Sequence, residues 1–76
     1  MKKILEEITE LGEELPSEII DEIQIKMVVW SGREFIKLGV DKPSETQIEL
    51  IVKRSFDKFL ELLRDAKSIL DETRGE

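Results

Sequence analysis

Residues 17–38, SEIIDEIQIKMVVWSGREFIKL, decide the fold class of this 76-residue chain. Pro16 precedes an acidic first turn, which is typical of a helix start. Glu22 and Lys26 form an i, i+4 pair in the order that stabilises a helix. Gly39 follows as a residue that can end the helix in a left-handed conformation. These features predict a helix over 17–38.

The same segment also has a pattern that is compatible with two strands. Apolar residues alternate with polar ones from Ile23 to Val29, and most of them are β-branched. Residues 31–34, SGRE, would then form a hairpin turn, with a return strand over 36–40. An α-β-β-α fold is therefore the alternative to the all-helical one.

As a helix, this segment has two apolar stripes on nearly opposite sides, because successive residues are about 100° apart. The first stripe consists of Ile19, Ile23, Met27 and Trp30. The second stripe consists of Ile25, Val29, Gly32 and Ile36. A helix that is apolar on two sides is normally covered on two sides, since soluble monomers seldom leave such patches bare. The close approach of another helix would also explain a glycine that costs ~1 kcal/mol of helix propensity relative to Ala.

The segments on either side of 17–38 predict two further helices. Apolar residues recur at helical spacing near the N-terminus, which predicts a helix over 2–14. Ser44 and Gln47 fit a capping box at the start of a third helix over 44–72. Its apolar residues follow a coiled-coil spacing: Val52, Phe56, Phe59, Leu63, Ala66 and Leu70.

The three helices predict one all-α domain over residues 1–76. We expect the second and third helices to form a long antiparallel hairpin and the first helix to pack across both. Two copies would then associate into a larger helical bundle as a homodimer. The predicted interface combines the second stripe with three apolar residues of the third helix: Ile25, Val29, Gly32, Ile36, Phe56, Phe59 and Leu63.

Composition excludes several classes of function. The chain has no Cys and no His, so thiolate nucleophiles, Ser-His-Asp triads and imidazole metal ligands are excluded. We therefore expect a protein that is not an enzyme, with no catalytic residues, metal, cofactor or small-molecule ligand. The longest apolar run, 27–30, is far too short to span a bilayer, so we expect a soluble, cytoplasmic protein with no membrane partner. The abundance of Glu, Lys and Arg is typical of hyperthermophile proteins.

The excess negative charge lies in the first third of the chain. Its 25 residues hold two Lys and eight acidic side chains, whereas the remainder holds ten basic and ten acidic residues. A nucleic-acid partner is not expected, because binding one requires a basic footprint. We favour a protein-interaction or structural module that acts through helix–helix contacts. The alternative is a regulator or inhibitor that binds a basic protein surface through the acidic third.

Two pairs of acids have a spacing that is compatible with metal binding. Glu7-x-x-Glu10 and Glu18-x-x-Asp21 each place two carboxylates on one helix face, where such pairs can hold Mg²⁺. The pattern resembles the acidic motifs of all-α nucleotide pyrophosphohydrolases, and that resemblance implies a Mg²⁺-dependent phosphohydrolase as a third possible function. The chain departs from that family because only seven residues separate the pairs and the third helix has no comparable pair.

Overall fold

The part of the chain that the structure describes forms three α-helices. In the computed structural model, which describes residues 2–74, α1 spans Lys2–Glu14, α2 spans Ser17–Lys37 and α3 spans Glu45–Arg74. No strand occurs in that range. The all-α, three-helix prediction is confirmed, and residues 23–38 lie in α2 or directly after it. None of the described helices combines the length and apolar character needed to cross a membrane.

The helix boundaries are set by local hydrogen bonds. At the start of α3, the Ser44 N–H donates to Gln47 Oε1 (2.9 Å) and the Gln47 N–H donates to Ser44 Oγ (3.2 Å), which is the predicted capping box. At the end of α2, Gly39 has a φ of 64° and its N–H donates to the carbonyl of Ile36 at 3.0 Å. Glycine adopts this left-handed conformation without a steric penalty. Gly39 therefore ends α2 and allows the chain to turn towards α3.

Helix α3 is the central element of the fold. Both α1 and α2 pack against it, whereas α1 and α2 make few contacts with each other. The core centres on Leu15, Ile23 and Leu63, which are 6%, 5% and 0% exposed. Other apolar side chains pack around these three: Ile8, Leu11, Ile19, Ile20, Phe59, Leu62, Ala66 and Leu70. We expected α1 to pack across both other helices; it packs mainly on α3, whose apolar stripe is broad enough for two partners.

Two serines lie in the contact between α2 and α3. Ser31 Oγ and Ser55 Oγ are 2.5 Å apart and half-buried. Each hydroxyl is also within hydrogen-bond distance of the carbonyl four residues earlier in its own helix, 2.9 Å for Ser31 and 2.7 Å for Ser55. Two hydroxyl protons can serve two of these three contacts at a time. These small side chains allow α2 and α3 to approach closely along the hairpin.

The length of α1 leaves part of the hairpin without a third helix. With 13 residues, α1 is about 20 Å long, against about 45 Å for the 30 residues of α3. The central core includes no residue between 24 and 58. In that segment, which we call the open end of the hairpin, only Ile51 is buried. Two helices alone therefore have to cover all the apolar residues there.

The core predicts a large difference between two aliphatic residues of α3. Leu63→Ala should lower the free energy of unfolding by about 3 kcal/mol, because it leaves a cavity at a fully buried site. Ile69→Ala is the matched control, and its effect should stay within about 0.5 kcal/mol because Ile69 is 64% exposed. Urea unfolding at one fixed protein concentration measures both. Equal losses would contradict this description of the core.

Candidate interaction surface

The two apolar stripes of α2 have opposite environments. Ile23 of the first stripe is 5% exposed, and the other members of that stripe are half-buried. In the second stripe, Ile25 is 64% exposed, Val29 48% and Ile36 79%. The first stripe therefore packs on α3, while the apolar side chains of the second are largely exposed to solvent. These exposed side chains are our candidate interaction surface.

Gly32 lies in the middle of the second stripe and is exposed. A Cβ atom built on Gly32 would meet no atom within 4 Å. The fold of the single chain therefore gives no steric reason for a glycine at this position. Gly12, in α1, has equally open surroundings and provides a natural comparison.

The predicted contributors from α3 differ in their accessibility. Phe56 and Phe59 are half-buried, and Phe59 packs against the central core. Leu63 is 0% exposed and belongs to the core itself. Because a side chain that is fully enclosed by its own chain has no surface to offer a partner, our candidate surface does not include Leu63. Phe56 lies in the open end of the hairpin, and part of its side chain is accessible to solvent.

The structure adds one apolar residue that the sequence did not indicate. Val28 is 63% exposed and lines a shallow groove together with Asp21, Gln24, Ile25 and Val29. Its position three residues after Ile25, on the same side of the helix, was the signal that could have identified it. We therefore treat Val28 as an extension of the second stripe.

Exposed apolar side chains are concentrated in the open end of the hairpin. Of the ten large ones that are exposed among the described residues, eight lie between residues 25 and 52. They are Ile25, Val28, Val29, Ile36, Val40, Ile48, Leu50 and Val52. This is the segment that α1 does not reach. The exposed apolar side chains lie where α1 is absent, because the hairpin of α2 and α3 is longer than α1.

Part of the acidic third is used in the contact between α1 and α3. Glu7 accepts a hydrogen bond from Arg64 Nε, and this bond lowers the pKa of Glu7 from its usual value of 4.5. Lys67 Nζ lies 3.0 Å from Asp71 Oδ1 and 3.3 Å from Glu14 Oε2. Hydrogen bonds to Asp71 and Glu14 raise the pKa of Lys67. Two acids of the first third therefore help to hold α1 on α3.

Other acids of the first third face solvent. Glu6, Glu10 and Glu13 are exposed. Both an ordinary hydrated face and a docking surface for a basic protein require this exposure. In the part of the chain that the structure describes, no three acidic side chains are grouped closely enough to hold a metal ion. The acidic pairs that suggested Mg²⁺ therefore do not converge into a site there.

The chain matches no protein-family model, no curated protein and no solved structure. Its function is therefore argued from its own surfaces. Among these, the second stripe is an apolar surface that the sequence pattern predicts and whose apolar side chains are exposed in the structure.

The ion pair between α1 and α3 predicts a pH-dependent stability. The lowered pKa of Glu7 means that its contribution is fully present above about pH 4.5 and is lost as the pH falls through the folded-state value. Glu7→Gln should therefore destabilise the protein at neutral pH, and the difference from wild type should narrow as the pH falls below about 4.5. Urea unfolding across this pH range measures it. Glu10→Gln is the exposed control; a Glu7 effect that did not depend on pH would contradict the ion pair.

Proposed function

We propose that this protein is a self-associating helical module, and that two copies pair through the second stripe of α2. The observation that carries the proposal is the exposure of Ile25, Val29 and Ile36 on a helix whose opposite side is already packed against α3. Burial of apolar surface is the main favourable term in protein association. A second helix laid along this face would remove these side chains from water.

The shape of the surface favours a helix as the partner. The groove beside Val28 and Val29 is open and lined by a single helix, so it has no walls to enclose a small ligand. Small-molecule sites are normally concave and enclose most of the ligand surface. An elongated apolar face on a helix of 21 residues, about 32 Å long, instead suits the ridge of another helix.

A second copy of the chain is the partner that we propose. Most soluble oligomers are homo-oligomers, and twofold dimers are the commonest of them. A standard interface buries roughly 800 Å² per partner. Four positions of one helix do not supply that area, so the contact has to include neighbouring apolar residues. Val28 on α2 and Val40, which lines a groove together with Ile36, are available for this purpose.

Two substitutions of equal exposure test the dimer. Val29 and Leu50 are both 48% exposed, but Leu50 is on α3, outside the second stripe. Val29→Glu should weaken dimerisation at least ~100-fold, because an unpaired carboxylate in an interface costs several kcal/mol. Leu50→Glu should leave dimerisation unchanged. Light scattering over a concentration series measures both effects.

The results also separate loss of association from loss of folding. Val29 is half exposed in the single chain, so Val29→Glu should keep its helical circular dichroism as a monomer of 8.8 kDa. A wild-type mass of 8.8 kDa at micromolar concentration would refute the dimer. If Val29→Glu, like Leu50→Glu, leaves the dissociation constant of the dimer unchanged, the contact lies outside the second stripe.

The two helical glycines provide a second matched pair. Both have room for a Cβ atom, so Gly12→Ala and Gly32→Ala should each raise helix stability by up to about 1 kcal/mol in the single chain. In the proposed dimer, Gly32→Ala adds a methyl group to the contact and should weaken association, whereas Gly12→Ala should not. Sedimentation equilibrium gives the two dissociation constants. Identical constants would exclude Gly32 from the interface.

A further inference from the structure

The exposed charges of α2 are sorted along the helix. Its first six residues carry the exposed acids Glu18, Asp21 and Glu22, and its last five carry the exposed bases Arg33 and Lys37. The second stripe lies between these ends. The exposed part of α2 is therefore acidic at its start and mainly basic from Lys26 to its end, where Glu34 pairs with Lys37.

We propose that the two copies of α2 pack antiparallel across a twofold axis, with the acidic end of each helix beside the basic end of the other. This inference rests on the proposed function and adds the orientation of the partner. A parallel pair would place like charges side by side at both ends, which disfavours association. An antiparallel pair brings opposite charges together and also opposes the two helix dipoles.

The second stripe gives the register of this pairing. Its four members are symmetric about the midpoint between residues 30 and 31. An antiparallel pair centred there places Ile25 opposite the partner's Ile36 and Val29 opposite the partner's Gly32. The Val29 side chain then meets a position that has no side chain and no neighbour within 4 Å of a built Cβ. This contact of a large residue with a small one explains why a glycine lies in the helix interior.

The ends of the pair bring charged side chains into reach. In this register Glu22 is about 3 Å along the axis from the level of the partner's Lys37. Lys37 is 75% exposed and also contacts Glu34 of its own helix at 3.0 Å, so its ammonium group can serve both carboxylates. Lys26 comes near the partner's Arg33, which is unfavourable. That cost is comparable in size to the gain from Glu22 and Lys37, because all four side chains are exposed. A parallel pair in register would place each of the four beside its own copy, so the antiparallel pair remains the more favourable one.

Cysteine cross-linking tests the orientation, because the chain has no thiol of its own. Ile25→Cys and Ile36→Cys are treated with a short bis-maleimide, each alone and mixed in equal amounts. In the antiparallel register the two copies of either residue are about 16 Å apart along the axis, whereas residue 25 lies opposite residue 36. The mixture should therefore give at least ten times more covalent dimer than either variant alone. Light scattering confirms the dimer mass of each sample before treatment.

A second pair of cysteine variants serves as a control in case the substitutions in the second stripe themselves dissociate the dimer. Glu22→Cys and Lys37→Cys lie outside the second stripe, on one flank of α2, and should also cross-link only when mixed. Cross-linking of each variant with itself as readily as in the mixture would overturn the antiparallel arrangement while leaving the dimer in place. No cross-link in samples of dimer mass would overturn it as well. A monomeric wild-type chain would instead refute the proposed function, and the orientation with it.

Discussion

The burial of Leu63 between α1 and α2 is the interaction on which the rest of the structure depends. This residue of α3 is fully enclosed. It forms one buried cluster with Leu15, at the junction of α1 and α2, and with Ile23 of α2. A chain of this size buries only ~60–65% of its unfolded surface, so one such cluster supplies a large share of its apolar burial. The cluster includes nothing from residues 24–58, because α1 is less than half as long as α3.

The open end of the hairpin follows from this arrangement. There α2 and α3 have only each other, and the contact across Ser31 and Ser55 brings them close together. One face of α2 is covered by that contact, and the other carries Ile25, Val29 and Ile36 into solvent. A pair of packed helices leaves the outer face of each helix available for a further helix. The dimer that we propose would cover this exposed face of α2 with the same face of a second copy.

The sequence predicts structural features, such as helix boundaries, that depend on residues close together in the chain. Ser44 with Gln47 and Gly39 with Ile36 act within one turn, so their spacing alone located the ends of α2 and α3. The contact of Glu7 with Arg64 joins residues far apart in the chain, and no local pattern indicates it. The position of Leu63 on an apolar stripe likewise does not say whether its own chain or a partner covers it. The apolar stripe of α1 likewise does not say which helix covers it. We therefore expected α1 to pack across both α2 and α3, although it packs mainly on α3.

The contacts of the second stripe can be observed directly by nuclear magnetic resonance. A dimer assembled from isotope-labelled and unlabelled chains gives nuclear Overhauser effects only between chains when the spectra are filtered by isotope. Our account predicts such effects from the methyl groups of Ile25, Val29 and Ile36. Interchain effects confined to methyl groups of α3 such as those of Leu50, or none at all at millimolar concentration, would contradict it.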